Sequence, residues 1–164
     1  MKYKFKWKKG FFSSTYGLFS NDKPIGELKG KAFSQSADGN LNGIKYSFRA
    51  KGLFKQHTEI VDCKDNKIIG EITFNTWMTK ATISFLNKKV NWKYDNLWST
   101  KWRIFDSEEI EIKYQGSTTS GKIDSNTDDA LLLLSGLYVT NYYWQFTFLI
   151  IIAVFVPLWA TVLN

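Results

Sequence analysis

From Ala130 to Asn164 the chain carries no Asp, Glu, Lys or Arg, although 23% of the whole protein is charged. Its last part, Phe146-Thr-Phe-Leu-Ile-Ile-Ile-Ala-Val-Phe-Val-Pro-Leu-Trp-Ala-Thr-Val-Leu163, is apolar on every side of any helix drawn through it. A helix lying on the surface of a soluble domain shows a polar stripe. This tail is therefore either covered by protein all round or dissolved in lipid.

Everything before it has a different character. Residues 1–129 hold all 22 basic and all 15 acidic side chains, so the net charge of +7 belongs to that part alone. Such a field favours anionic partners: acidic lipid headgroups, nucleic acid or acidic proteins. Cys63 is the single cysteine, no Asn-x-Ser/Thr sequon occurs, and no apolar stretch follows the basic start Met1-Lys-Tyr-Lys-Phe-Lys-Trp-Lys-Lys9. These features predict a reducing location and no signal peptide.

The body reads as antiparallel β-structure. Lys2, Lys4, Lys6 and Lys8 alternate with Tyr3, Phe5 and Trp7, and the same period of two returns at 44–50, 81–85, 90–94 and 110–114. Turn-forming residues separate the runs at 20–24, 37–40, 64–67 and 116–121. The pattern predicts about eleven short strands between Lys2 and Asp124, too many for one flat sheet. A closed barrel or a sandwich follows, with the barrel preferred. Leu18-Phe-Ser-Asn-Asp-Lys-Pro-Ile-Gly-Glu-Leu28 and Val61-Asp-Cys-Lys-Asp-Asn-Lys-Ile-Ile-Gly-Glu-Ile72 share one hairpin design, with 105–112 a looser third copy. Gly26 and Gly70 are expected at bulges or at close approaches to something inside the sheet.

At Asp124-Ser-Asn-Thr-Asp-Asp129 the pattern changes to a helix start, with Asn126 or Thr127 as N-cap and Asp128 and Asp129 on the first turn. A helix over 128–142 is roughly 22 Å long at ~1.5 Å per residue, short of a ~30 Å bilayer core. It matches the height of a barrel of six- or seven-residue strands and is expected inside it.

The repeated hairpins at 18–28 and 61–72, the run Trp92, Trp98 and Trp102 leading through Lys101-Trp-Arg-Ile-Phe-Asp106, and the Asp128-Asp-Ala-Leu-Leu-Leu-Leu134 helix start together resemble the tubby-like superfamily. That superfamily includes the phospholipid scramblases and the LURP-one-related proteins. The resemblance covers roughly residues 3–143 and implies a mainly β fold: a closed antiparallel barrel of about twelve short strands around a hydrophobic central helix. It assigns no phosphoinositide-binding position here. The extra apolar helix, 144–164, departs from the family's pattern.

That extra segment has the marks of a membrane anchor, its eighteen-residue apolar stretch giving roughly 27 Å. Tyr142, Tyr143 and Trp144 at one end and Trp159 near the other are expected as interfacial aromatics. The domains expected are thus a barrel over 1–143, including the helix 128–142, and a transmembrane tail over 144–164. All positive charge lies on the N-terminal side, which predicts a single-pass protein of the cell membrane with its barrel in the cytoplasm. In the competing reading, 146–163 is itself the helix inside the barrel or is covered by a protein partner.

Among polar residues no catalytic constellation stands out. His57 is the only histidine, and the run from Asp124 departs from a calcium loop because Asp129 stands where a glycine is needed and Ser135 where a glutamate is. Asp106, Glu108, Glu109 and Glu111 read as hairpin charges. The candidate contacts with anionic surfaces are Lys2, Lys4, Lys6, Lys8 and Lys9 on one strand, and Lys88, Lys89, Lys93, Lys101 and Arg103 interleaved with tryptophans. Nucleic acid is not expected, because strict alternation turns the stacking aromatics inward. The sequence thus predicts a non-enzymatic, cofactor-free barrel anchored at a membrane and contacting acidic phospholipid or a membrane protein. A soluble scaffold barrel and a scramblase-like lipid handler are the alternatives.

Overall fold

The alternating runs become twelve strands in the computed structural model, which describes residues 1–52 and 55–162. Leu53 and Phe54, and the last two positions of the expected tail, Leu163 and Asn164, lie outside the described residues. The strands are β1 (Tyr3–Lys8), β2 (Thr15–Ser20), β3 (Lys23–Gly30), β4 (Ala37–Leu41), β5 (Ile44–Ala50), β6 (His57–Asp62), β7 (Lys67–Phe74), β8 (Lys80–Phe85), β9 (Lys88–Tyr94), β10 (Lys101–Phe105), β11 (Glu111–Gly116) and β12 (Ser120–Ser125). Each pairs antiparallel with the next, and β12 closes the barrel by pairing with β1 from Tyr3↔Ser125 to Lys8↔Ser120. Closure removes every free sheet edge. The period-two pattern sends one set of side chains inward: Phe5 and Trp7 on β1, Ile83 and Phe85 on β8, Val90 and Trp92 on β9 are all buried.

The hairpin echo is real. β3 and β7 have the same length and the same order of buried and exposed positions. The register slips at the same point in both hairpins, between Leu18 and Phe19 and between Ile60 and Val61. Gly26 and Gly70 sit beside these bulges, and a Cβ there would come within 2.0 Å of the Asn40 carbonyl oxygen and 2.4 Å of that of Ser84. What they accommodate is the neighbouring strand's backbone, not an object inside the sheet. The looser third copy, β10–β11, pairs without a slip.

The helix α1 (Ala130–Val162) runs unbroken, so the two apolar segments expected from the sequence are halves of one rod. Its start is displaced from the expected Asp128. Asp129 is the N-cap: its Oδ1 accepts the Leu132 N–H at 3.0 Å and its carbonyl accepts that of Leu133. Asn126, expected as a cap, instead ties the β10–β11 hairpin, accepting from the Glu111 N–H at 3.0 Å and donating to the Glu109 carbonyl. Removing the cap in Asp129→Ala should cost about 1 kcal/mol, whereas Asp128→Ala should cost less than half of that. Thermal melting of the two variants side by side tests the assignment.

Residues 130–143 fill the barrel, and all but Thr140 are fully buried. The helix offers few polar side chains, so the aromatic donors of the wall bond to its backbone carbonyls, which have a second lone pair to give. Tyr114 donates to the Leu132 and Leu133 carbonyls at 3.2 and 3.1 Å, and Trp92 and Trp102 both donate to that of Gly136. Gly136 is required here, because a Cβ would lie 2.2 Å from the Tyr114 ring. Farther along, Tyr138 shares a hydrogen bond with Thr58 at 2.9 Å and donates to the Gln35 carbonyl at 3.0 Å.

Candidate functional site

Up-and-down connectivity sorts the connections between strands to two ends. The helix enters at the base, beside the turns β2–β3, β4–β5, β6–β7, β8–β9 and β10–β11. It leaves at the mouth, beside β1–β2, β3–β4, β5–β6, β7–β8, β9–β10 and β11–β12. At the mouth the Tyr143 hydroxyl reaches Asn75 and the Lys80 carbonyl of the β7–β8 turn, and Tyr142 stacks on Phe74 at 3.8 Å. One residue later, Trp144 is 54% exposed. This corrects the expectation for the first two: Tyr142 and Tyr143, 2% and 3% exposed, plug the barrel and do not face an interface. Trp144 and Trp159 are exposed as expected, with 148–162 exposed throughout.

The turns at the mouth carry large apolar side chains into solvent. Phe11 and Phe12 on β1–β2, Phe33 on β3–β4, Trp77 on β7–β8, and Leu97 and Trp98 on β9–β10 are all exposed. Two of these turns have one design. In Asn75-Thr-Trp-Met-Thr-Lys80 the Asn75 Oδ1 accepts the N–H groups of Thr79 and Lys80 while its amide donates to the Thr79 hydroxyl. In Asn96-Leu-Trp-Ser-Thr-Lys101 the Asn96 side chain bonds Thr100 and Lys101 in the same way. Met78 and Ser99 take the same left-handed backbone, φ 55° and 54°. The result is a tryptophan held outward at each tip, Trp77 at 83% and Trp98 at 86% exposure. The sequence reading missed this pair, although the shared Asn-x-Trp-x-Thr-Lys pattern is its signal.

Between these turns and the emerging helix lie two hollows. One, of about 340 Å³, is walled by Trp7, Tyr16, Tyr94, Trp98, Trp102 and Trp144, with Lys9 as its charged residue. The other, of about 670 Å³, lies among Trp77, Leu97, Trp98, Tyr143 and Trp144. Burial lowers the Lys9 pKa below the usual lysine value, and its ammonium lies 5.0 Å from the Tyr16 ring. Burial also raises the Tyr94 phenol to about 12 against the opposing effect of the nearby Ser99 and Thr140 hydroxyls. The first hollow thus combines aromatic walls with a single ammonium group.

Charge separates along the same axis. Connections at the mouth hold Lys9, Lys31, Lys51 and Lys55 against Asp95, while those at the base hold Asp22, Asp65, Asp106, Glu108, Glu109, Asp128 and Asp129 against Lys64. Lys31 and Lys51 are paired with Asp38 at 3.3 Å and Glu59 at 2.6 Å, and Asp95 with Arg103 at 2.7 Å. The expected basic clusters do not coincide with this division. Lys2 and Lys4 stand toward the base, as do Lys88 and Lys89 at the far end of β9. Lys6 pairs with Asp22 at 2.7 Å, Lys8 and Lys93 lie over the rings of Phe19 and Phe105, and Arg103 is held between Asp95 and Glu111. Only Lys8, Lys9 and Lys101 of the ten belong to the mouth. A strand of six residues is ~20 Å long, beyond two Debye lengths in physiological salt, so the basal lysines act on a different surface.

His57 opens β6 at 3.7 Å from Glu71, and Cys63 follows the other end of the strand, exposed in the basal turn. Asp106 accepts the N–H groups of Glu108, Glu109 and Ile110, a turn-forming role whose hydrogen bonds hold its carboxyl below the usual range. Among the described residues no group of three or more His, Cys, Asp or Glu side chains is placed to hold a metal ion.

Compared with protein families, curated proteins and solved structures, the chain matches none. What it does must therefore be argued from the mouth of the barrel itself.

Proposed function

We propose that the protein is a non-enzymatic, single-pass membrane protein whose barrel stands on the cytoplasmic face and contacts anionic phospholipid. The observation that carries this reading is the emergence of α1 from the barrel as an uncharged rod, part-buried at 145–147 and exposed from 148 to 162. One helix of this kind is long and apolar enough to cross a bilayer. The barrel interior is already filled by 130–143, so the second half of the helix is not the barrel's core. Pro157 lies in the exposed half, where lipid-spanning helices tolerate the lost ladder hydrogen bond. The lysines of the mouth support the choice of anionic lipid, each contributing ~1 kcal/mol beside an acidic surface when it is not neutralised by a partner. The twelve strands closed around an apolar helix support kinship with the tubby-like superfamily as part of the same proposal.

Fractionation tests it. Full-length protein should sediment with membranes, resist alkaline carbonate and leave only with detergent. Recovery in the soluble fraction without detergent would overturn the anchor and favour a barrel whose tail is covered by a protein partner.

A further inference from the structure

We infer that the mouth of the barrel is embedded in the lipid headgroup layer, with the twin turns carrying Trp77 and Trp98 inserted beside the span as a second attachment to the bilayer. This rests on the anchored reading above and adds to it the height and orientation of the barrel.

Continuity is the first argument. The apolar part of the helix begins directly where it leaves the barrel, with no charged residue from Ala130 through Val162. Tyr143 is already inside the barrel and Trp144 already outside it, so there is no linker to hold the barrel away from the membrane. A helix that becomes lipid-compatible immediately outside the barrel brings the rim of the barrel into the headgroup region, ~5–7 Å thick on each side. Whatever stands at rim height must then be compatible with that layer.

Chemistry is the second argument. Tryptophan favours this layer, where its ring meets acyl carbon and its N–H meets water. The protein holds Trp77 and Trp98 there with two copies of one asparagine-braced turn, whose hydrogen bonds leave the indoles themselves outside the fold. Holding a large apolar ring in water has a cost that scales with its exposed area. Placing it in the headgroup layer removes that cost. Phe11, Phe12 and Phe33 are exposed on other turns around the rim, so a protein partner covering all of these side chains would have to encircle the emerging helix, whereas a bilayer surrounds the helix in any case.

Site-directed spin labelling of full-length protein in phosphatidylcholine vesicles containing phosphatidylglycerol tests the inference. Native Cys63 in the basal turn is the water reference. In a Cys63→Ser background, Thr76→Cys and Leu97→Cys report the two mouth turns and Phe155→Cys reports the span. The mouth labels should collide with an aqueous nickel complex several-fold less often than the Cys63 label, and with oxygen more often. The double substitution Trp77→Ser and Trp98→Ser should return the mouth labels toward the Cys63 value while the Phe155→Cys label stays in lipid. If the mouth labels are as accessible to nickel as Cys63 while position 155 is in lipid, the embedded mouth is wrong and the anchor stands. If position 155 is also aqueous, the anchored reading fails and this inference with it.

Discussion

Ending the chain after Tyr143 should release a folded barrel from its membrane. Every fully buried residue of α1 lies at or before Tyr143, so this cut removes exposed surface and leaves the core complete. The shortened protein should keep the circular dichroism of a β-barrel, melt cooperatively within a few degrees of the full-length protein in detergent, and leave membranes on washing with salt. Ending the chain after Asp129 should do the opposite. It removes Leu131, Leu132, Leu133, Leu134, Leu137, Tyr138 and Val139 from the centre of the barrel, each fully buried. At ~1.5–3 kcal/mol for each large apolar side chain, the loss of about 10–21 kcal/mol matches or exceeds the ~5–15 kcal/mol that a domain has to spare, so the strands should not hold together. Collapse of the longer fragment would mean that 144–162 belongs to the fold.

Gly136 is where a single atom should matter most. A methyl group there meets the Tyr114 ring at 2.2 Å, with Tyr114 stacked on Trp102 at 5.5 Å between ring centres and bonded to two helix carbonyls. Helix propensity favours Gly136→Ala by up to ~1 kcal/mol. Against this stand overpacking at ~1–3 kcal/mol and the buried hydrogen bonds of Tyr114, Trp92 and Trp102, each ~1–3 kcal/mol if a partner is left unsatisfied. The clash wins, and Gly136→Ala should destabilise by about 3 kcal/mol, a drop of roughly 10 °C in melting temperature at this chain length. Gly136→Leu should prevent folding. In a Tyr114→Leu background the alanine substitution should become nearly harmless, since the group it strikes is gone; an unchanged cost there would place the strain elsewhere.

Much of the barrel was legible because its signals are local. Alternation along β1, β8 and β9 and the turns at 64–67 and 116–121 need only neighbours in sequence, whereas Ala37-Asp-Gly-Asn40, which has turn chemistry, lies within β4; the length of 128–142 pointed to a central helix, and the resemblance to about twelve strands. The matched bulges at Gly26 and Gly70 were visible as a repeat, although what packs against those glycines required the third strand. The mouth was harder. That the lysines at 9, 31, 51 and 55 share one end follows only once every strand has been placed, because each added strand sends the next turn to the other end. Tyr142 and Tyr143 read as interfacial in the sequence because aromatics before a span look alike, whether they face headgroups or fill the last layer of a core. The tryptophan turns were overlooked for a simpler reason. Alternation sends most aromatics in this chain inward, whereas Trp77 and Trp98 lie outside the strands, where no alternation applies.

The continuity of α1 also has a mechanical meaning. With no swivel between the part clasped by twelve strands and the part outside, the two move as one shaft. If the outer half spans a bilayer as proposed, lipid of a different thickness, which changes how far a spanning helix leans, must lean the barrel by the same angle. Thicker or thinner surroundings would therefore lift some turns of the rim and press others down, making the posture of the barrel a gauge of the bilayer beneath it.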